Sequence, residues 1–248
     1  MNELIVSQNQ NFNMSSKYKT ITTKTVLQTL TAEGYEVNSF SSAKVRKASK
    51  DGFQKHLLRI SRPDLKIDIG GLRPEIIIIN SYDGSSSFKV LVGLFRFACA
   101  NGLIVGSSYF ERTIRHVGEA MPKVLVALDE VQLALPKVAA DIERFSKIQL
   151  TQGKKMSFAE TIAAGVAPQE FKPVNVENLL EVRRKEDEGD DLFTVLNVIQ
   201  ENVLKGNLNL ETVKENMRVV RKMRTIKSLT RSTEVNQLVW DTASSLAA

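Results

Sequence analysis

Apolar residues recur along this chain with helical spacing in some stretches and as β-branched runs in others, and the switches between the two outline its elements. Val26, Leu27 and Leu30 share one face of a short helix that Thr22 or Thr23 can cap and Gly34 stops. The stretch Phe40 to Arg62 reads as a β-hairpin, with Asp51-Gly52 supplying left-handed turn residues between arms of β-branched and aromatic side chains. After Pro63, a turn at Gly70-Gly71 and Pro74, the run Glu75-Ile-Ile-Ile-Ile-Asn80 predicts a strand buried on both faces. Phe88, Leu91, Val92, Phe95, Ala98 and Cys99 then fit a helix ended by Asn101-Gly102, and a short apolar run, Leu103 to Val105, follows.

Further along, Met121, Val124, Leu128, Val131, Leu135, Val138, Ile142 and Phe145 alternate steps of three and four, the pattern of a long amphipathic helix that Pro136 kinks or divides. Such a stripe suits either a coiled-coil interface of a homo-oligomer or a helix packed on its own sheet, and the second is favoured. Ser157 with Glu160 forms a capping box for a helix ending near Gly165, Asn175 starts another, and the acidic run Glu186 to Asp191 is an exposed link. Asp191 caps a helix through Val195, Leu196, Ile199 and Val203, with Gly206 beyond its end, and the last helix runs from Ser232 past Trp240. These elements predict an α+β fold: a small antiparallel or mixed sheet (hairpin, strand, helix core), a long amphipathic helix and a helical C-terminal part. Residues 1–19 are expected to be a mobile polar tail, 20–150 the α+β core and 151–248 a helical region packed on it.

The charge distribution adds a functional expectation. Lys44 to Arg62 holds seven Lys/Arg against one acid, and Thr212 to Arg231 again seven against one. Removing those 14 basic and 2 acidic residues from 34 and 28 leaves 20 against 26, so two segments carry the whole +6 excess. This is the footprint of a nucleic-acid binder, though acidic proteins and anionic membranes would feel the same field. The expected contacts are Lys44, Arg46, Lys47, Lys50, Lys55, Arg59 and Arg62 on the hairpin, with Phe53 or Tyr82 stacking bases, and Arg218, Arg221, Lys222 and Arg224 in the second segment. For that segment a helix is favoured over a strand, because Val219, Met223 and Ile226 fit an inward stripe. As a strand it would instead split its charges between two faces.

Other chemistry finds little support. His56 and His116 have no second histidine or cysteine at ligand spacing, so no metal site is expected. His116, beside Arg112 and Arg115, is read as a surface or packing residue. The lone Cys99 lies in an apolar run and argues for a reducing compartment, and no apolar run approaches a membrane span, so a cytoplasmic protein with no membrane partner is expected. No cofactor fingerprint or catalytic constellation is present, and a non-catalytic role is expected. The turn Asn80, Ser81, Tyr82, Asp83, Gly84, Ser85, Ser86 could offer a helix N-terminus to a phosphate. Its plainer reading is a capped turn tied together by Asn80 and Asp83.

The block PEIIIINSYDGSSSFKVLVGLFRFACANGLIVG followed by IRHVG resembles the signature of phage/plasmid-like proteins, a family of unknown function found in phages, plasmids and prophages. Glu181-VRRKEDEGDD-Asp191, Asn197-VIQEN-Asn202 with Gly206, and Asn236-QLVW-Trp240 extend the likeness over about residues 60 to 245, with Gly206-Asn207 standing where relatives often have Gly-Gly. The resemblance implies a mobile-element setting and no particular reaction. The hairpin, strand, helix order is also similar to the core of phage single-strand annealing proteins. The leading expectation is therefore a nucleic-acid-binding protein, acting on single-stranded DNA or annealing it. The alternative is a phage or plasmid protein that docks on and inhibits a host defence or regulatory protein.

Overall fold

Four consecutive isoleucines, Ile76 to Ile79, can be buried only if both faces of their strand are covered, and all four are at most 4% exposed. The computed structural model describes residues 14–45, 47–63, 72–96, 103–104 and 111–248. The chain divides into two compact units, Met1–Gly102 with Ser107–Pro136, and Leu103–Gly106 with Lys137–Ala248.

The first unit begins with helix α1 (Thr23–Ala32), followed by strands β1 (Glu36–Ser42), β2 (His56–Ser61), β3 (Leu72–Asn80) and β4 (Phe88–Arg96). These four strands are sequential antiparallel neighbours. A two-residue strand, β5 (Leu103–Ile104), falls in the second unit, and β6 (Glu111–Ile114) pairs antiparallel with β4. The register sets Ile76, Ile77 and Ile78 opposite Val92, Leu91 and Val90, and on the other edge Ile76 and Ile78 opposite Ile60 and Leu58. Each such side chain contributes roughly 1.5–3 kcal/mol on burial.

The helix expected from Phe88 onward is therefore strand β4. Phe88, Leu91 and Val92 satisfy helical spacing, but Val90 between them is equally buried, at 0%. Apolar residues of both parities are what a strand covered on both faces requires, and over so short a run the two patterns coincide. The hairpin of β1 and β2 forms as expected, but its turn does not. The strands close at Ser42 opposite His56, so the connection is a long loop with a 3-10 turn at Ala48–Lys50 and Gly52 at φ +81°. Lys44, Lys47, Lys50 and Lys55 lie on that loop rather than on the arms. Arg46, Cys99, the Gly70-Gly71 turn, the Asn101-Gly102 stop and residues 1–13 lie outside the described residues.

Helix α2 (Met121–Lys147) runs through Pro136, where the two units divide. Its stripe of Val124, Leu128, Val131, Leu135, Val138, Ile142 and Phe145 is at most 5% exposed within the single chain, which is the intramolecular reading of the heptad pattern.

The second unit continues with α3 (Gln152–Val166), β7 (Lys172–Val174), 3-10 turns at Val176–Leu180 and Lys185–Asp187, α4 (Leu192–Leu204), β8 (Asn209–Lys214), β9 (Met217–Lys222) and α5 (Leu229–Leu246). Thr151, not Ser157, caps α3 by accepting a bond from the Lys154 N–H. Asp191 caps α4 through the Thr194 N–H at 2.9 Å, as its sequence position indicates. Ser228 caps α5. Asp187, in the run expected to be an exposed link, is 2% exposed.

The second basic segment is not a helix. Its first half is the antiparallel pair β8–β9, in a three-stranded sheet ordered β7-β8-β9. Glu215 and Asn216 both adopt positive φ, 50° and 64°, making a two-residue turn that closes Lys214 on Met217. Arg218 and Lys222 thus share one face of the ribbon and Arg221 takes the other, with Arg224 beyond the strand's end. The α+β class holds, with antiparallel sheets in both units.

Candidate nucleic-acid interface

The Asn80–Ser86 turn sits between β3 and β4, so no helix N-terminus is available there for a phosphate. Its polar groups are instead consumed internally. Ser81 Oγ accepts the Ser86 N–H at 2.9 Å and donates to its carbonyl at 3.2 Å. The Tyr82 and Asp83 N–H groups both donate to the Phe53 carbonyl, and Lys50 Nζ reaches Asp83 Oδ2 at 3.1 Å. Gly84, at φ +71°, faces the Met14 side chain. This geometry locks the long β1–β2 loop onto the turn.

Beneath it lies a closed relay. His56 Nδ1 donates to the Gln54 carbonyl at 3.1 Å, which fixes the tautomer and leaves Nε2 to accept from the Thr23 hydroxyl at 2.7 Å. Thr23 Oγ1 accepts in turn from Asn80 Nδ2 at 2.9 Å, and Asn80 Nδ2 also donates to the Ile21 carbonyl at 2.8 Å. The Tyr82 hydroxyl accepts the Thr23 N–H, one of the donors that the first turn of α1 leaves open. Phe53 and Tyr82 are 8% and 4% exposed, so neither ring is placed to stack on a base. His116 is buried too, stacked on Tyr18 with centroids 5.0 Å apart, and its Nδ1 accepts the Ile21 N–H.

Burial lowers the pKa of both histidines, partly offset by their backbone bonds. Burial pushes the Asp83 carboxyl up, but the bonds from Ser85 and the Lys50 ammonium outweigh it and hold the group below its usual 3.8. The signs follow. The histidines stay neutral when folded but take up a proton near 6.5 when unfolded, so stability is full above that pH and declines as pH falls below it. The Asp83 contribution is present above 3.8 and is lost as pH falls through its lower folded value. The urea midpoint should start to fall near pH 6.5, and the double variant His56→Gln, His116→Gln should flatten that slope. A wild-type midpoint that stays level from pH 6.5 to 5 would contradict the relay's neutral state.

Of the hairpin charges, Lys44 and Lys47 are exposed. Two others are engaged: Arg59 Nε meets the buried Glu75 at 2.6 Å, and the Arg62 guanidinium lies 5.7 Å from the centre of the Tyr35 ring. Arg112, beside His116 in sequence, grips Glu130 with two nitrogens.

The second unit gathers its charges differently. A groove of about 750 Å³ has an apolar floor of Val166, Pro168, Leu210, Met223 and Ile226, and is flanked by Arg221, Lys222, Arg224 and Arg231. The Arg221 guanidinium stacks on Phe171 at 3.9 Å from the ring centre. Arg231 is braced by the Val166 carbonyl at 3.0 Å and by Glu234 at 3.1 Å. Lys222 and Arg224 are exposed, with no ion-pair partner among the described residues.

The wall carrying them is held by backbone. Met223 N–H donates to the Leu208 carbonyl at 2.7 Å and Ile226 N–H to the Leu204 carbonyl at 2.9 Å, so residues 223–226 press onto Gly206 just beyond α4. A buried polar network joins residues that stand in the sequence as separate motifs. Glu201 is 3% exposed and pairs with Arg184 at 2.7 Å and with Lys205. Asn202 Oδ1 accepts from Arg183 at 2.6 Å, and Gln200 Nε2 donates to Asn236 Oδ1 at 2.8 Å. Trp240 packs on Phe145 with centroids 5.1 Å apart. Asn207 joins by donating to the Asn178 carbonyl and to Glu181 Oε2, both at 2.8 Å, a use that a second glycine could not supply. The arginine pair after Glu181, the Gln-Glu-Asn of α4 and the Asn of α5 thus interlock through hydrogen bonds and ion pairs.

Among the described residues no group of three or more His, Cys, Asp or Glu side chains is placed to hold a metal ion, and no helix is long and apolar enough to cross a membrane. No solved structure matches the chain. Two proteins of Escherichia coli (strain K12), UPF0380 protein YafZ and UPF0380 protein YfjQ, are each similar to it at 30% identity over 243 residues, which is 98% of this chain and 87% of each relative. The polar network and the Gly206 turn lie within the region, residues 13–240, that a family model matches, and the chain belongs to that family, the Domain of unknown function (DUF932).

Proposed function

We propose that the chain is a non-catalytic nucleic-acid-binding protein serving a mobile element, and that the groove of the second unit is where it holds phosphates. The observation that carries this reading is the concentration of Arg221, Lys222, Arg224 and Arg231 around one apolar-floored groove, with Lys222 and Arg224 unengaged by any described acid. Exposed Lys44 and Lys47 in the first unit supply further positive charge. The mobile-element setting is supported by the resemblance to phage/plasmid-like proteins.

The reading is tested by fluorescence anisotropy with labelled DNA across a salt series. Affinity should fall steeply with salt, because each phosphate contact releases counterions. Replacing Arg221, Lys222 and Arg224 by Ala should reduce the log–log salt slope by roughly one per lost phosphate contact while leaving the fold intact. Unchanged binding in this variant would remove the groove from the interface. Binding to a host protein with none to DNA would favour the inhibitor role instead.

A further inference from the structure

The β8–β9 ribbon stands clear of its unit: all residues from Val213 to Lys222 are exposed, on both faces of the hairpin. Only its base is anchored, through Leu210 at 3% exposure. The arm also holds four of the eight large apolar side chains most exposed in the described chain, Val213, Met217, Val219 and Val220, at 67, 63, 38 and 48%. Apolar side chains collected on a projecting basic ribbon mark a contact surface rather than a solvated one.

We propose that this arm enters the major groove of duplex DNA, an inference that rests on the nucleic-acid reading above and narrows it to the double-stranded form. Single-strand sites depend on aromatic platforms, and residues 209–228 contain none. The Phe171 ring, which Arg221 meets at the foot of the ribbon, is already covered by that guanidinium. A two-stranded ribbon, by contrast, is an element the major groove admits, and from the Val213–Arg218 pair outward the arm extends roughly 7 Å to its turn, close to the groove's depth of about 8.5 Å.

The side chains fall where such docking needs them. Met217 and Val213 lie near the tip, where apolar atoms meet thymine methyl groups. Glu215, the acid at the turn, would repel phosphates at a rim but can accept from cytosine amino groups at the groove floor. Lys214 and Arg218 flank the inserted part, near the level of the phosphate backbone. Self-pairing of two β9 edges about their centre would set Arg218 opposite Arg221, a like-charge arrangement that disfavours a second copy as the occupant.

The test compares an A·T-rich duplex of roughly two helical turns, the same duplex with uracil for thymine, and the single strand. The intact chain should bind the duplex at least about tenfold more tightly than the single strand, and removing the thymine methyls should cost several-fold. Met217→Ser with Val213→Ser, both exposed, should erase the thymine–uracil difference without changing single-strand binding. Equal affinity for the thymine and uracil duplexes, or tighter single-strand binding, would overturn the arm while leaving the basic groove standing. Loss of binding in the groove variant but not in the Met217, Val213 variant would do the same, whereas no binding to any of the three probes would remove both.

Discussion

Gly206→Ala should be the most damaging single-methyl change in the second unit, lowering stability by about 3 kcal/mol or more. Two effects add. Gly206 has φ +76°, where a side chain costs about 1–3 kcal/mol. An added Cβ would also lie 2.4 Å from the Met223 carbonyl oxygen and 2.8 Å from the Arg224 carbonyl carbon, and backbone cannot rotate away as a side chain can. Relief requires residues 223–226 to lift from α4, breaking the Met223 and Ile226 bonds and moving the wall that carries Lys222 and Arg224. Denaturant unfolding checks the stability loss. Gly206→Asn separates the two causes, because Asn tolerates positive φ but brings the same Cβ. A near-wild-type Asn variant would show that the close approach contributes nothing.

Gly206 after α4, the Asp191 cap, the isoleucine strand and the α2 stripe could all be placed, since each rests on local chemistry or on a long unambiguous period. β4 and β9 could not, for opposite reasons. β4 is apolar on both faces, so Phe88, Leu91 and Val92 fit a helix as well as a strand, and only its register with β3 decides. β9 is exposed on both faces, so its residues have no inward period at all, and its turn is Glu215-Asn216 rather than the Asn-Gly that usually signals such a hairpin. The basic segment was recognisable as charge, but the groove that gathers Arg221, Lys222 and Arg224 with Arg231 needs the fold. The Asn80 turn was visible as polar clustering, yet that its partners would be Ile21, Thr23 and Phe53 depends on contacts some 30 to 60 residues away.

Asn202→Asp should destabilise the chain at neutral pH at least as much as Asn202→Ala, although Asp is nearly isosteric with Asn. Asn202 is fully buried, and its amide is divided by role: Oδ1 accepts from Arg183 Nε at 2.6 Å, while Nδ2 donates to the carbonyls of Leu179 at 3.1 Å and Glu181 at 2.9 Å. Alanine orphans those carbonyls and the Arg183 donor, at about 1–3 kcal/mol for each group left buried and unpaired, so a loss of roughly 3 kcal/mol is expected. Aspartate keeps the Arg183 bond but turns a second oxygen toward two carbonyl oxygens, replacing attraction with repulsion. The nearby arginine favours the charged form, while burial and the carbonyls favour the neutral acid, which alone can donate to one of them. The Asp variant should therefore recover part of its loss as pH falls toward the carboxylic range, whereas the Ala variant should show no recovery of its own. Unfolding midpoints of both variants, each referred to wild type at the same pH, measure this. An Asp variant as stable as wild type at pH 7 would mean that the two carbonyls are satisfied without Asn202, and Asn202 would lose its place as a tie between the 176–184 segment and α4.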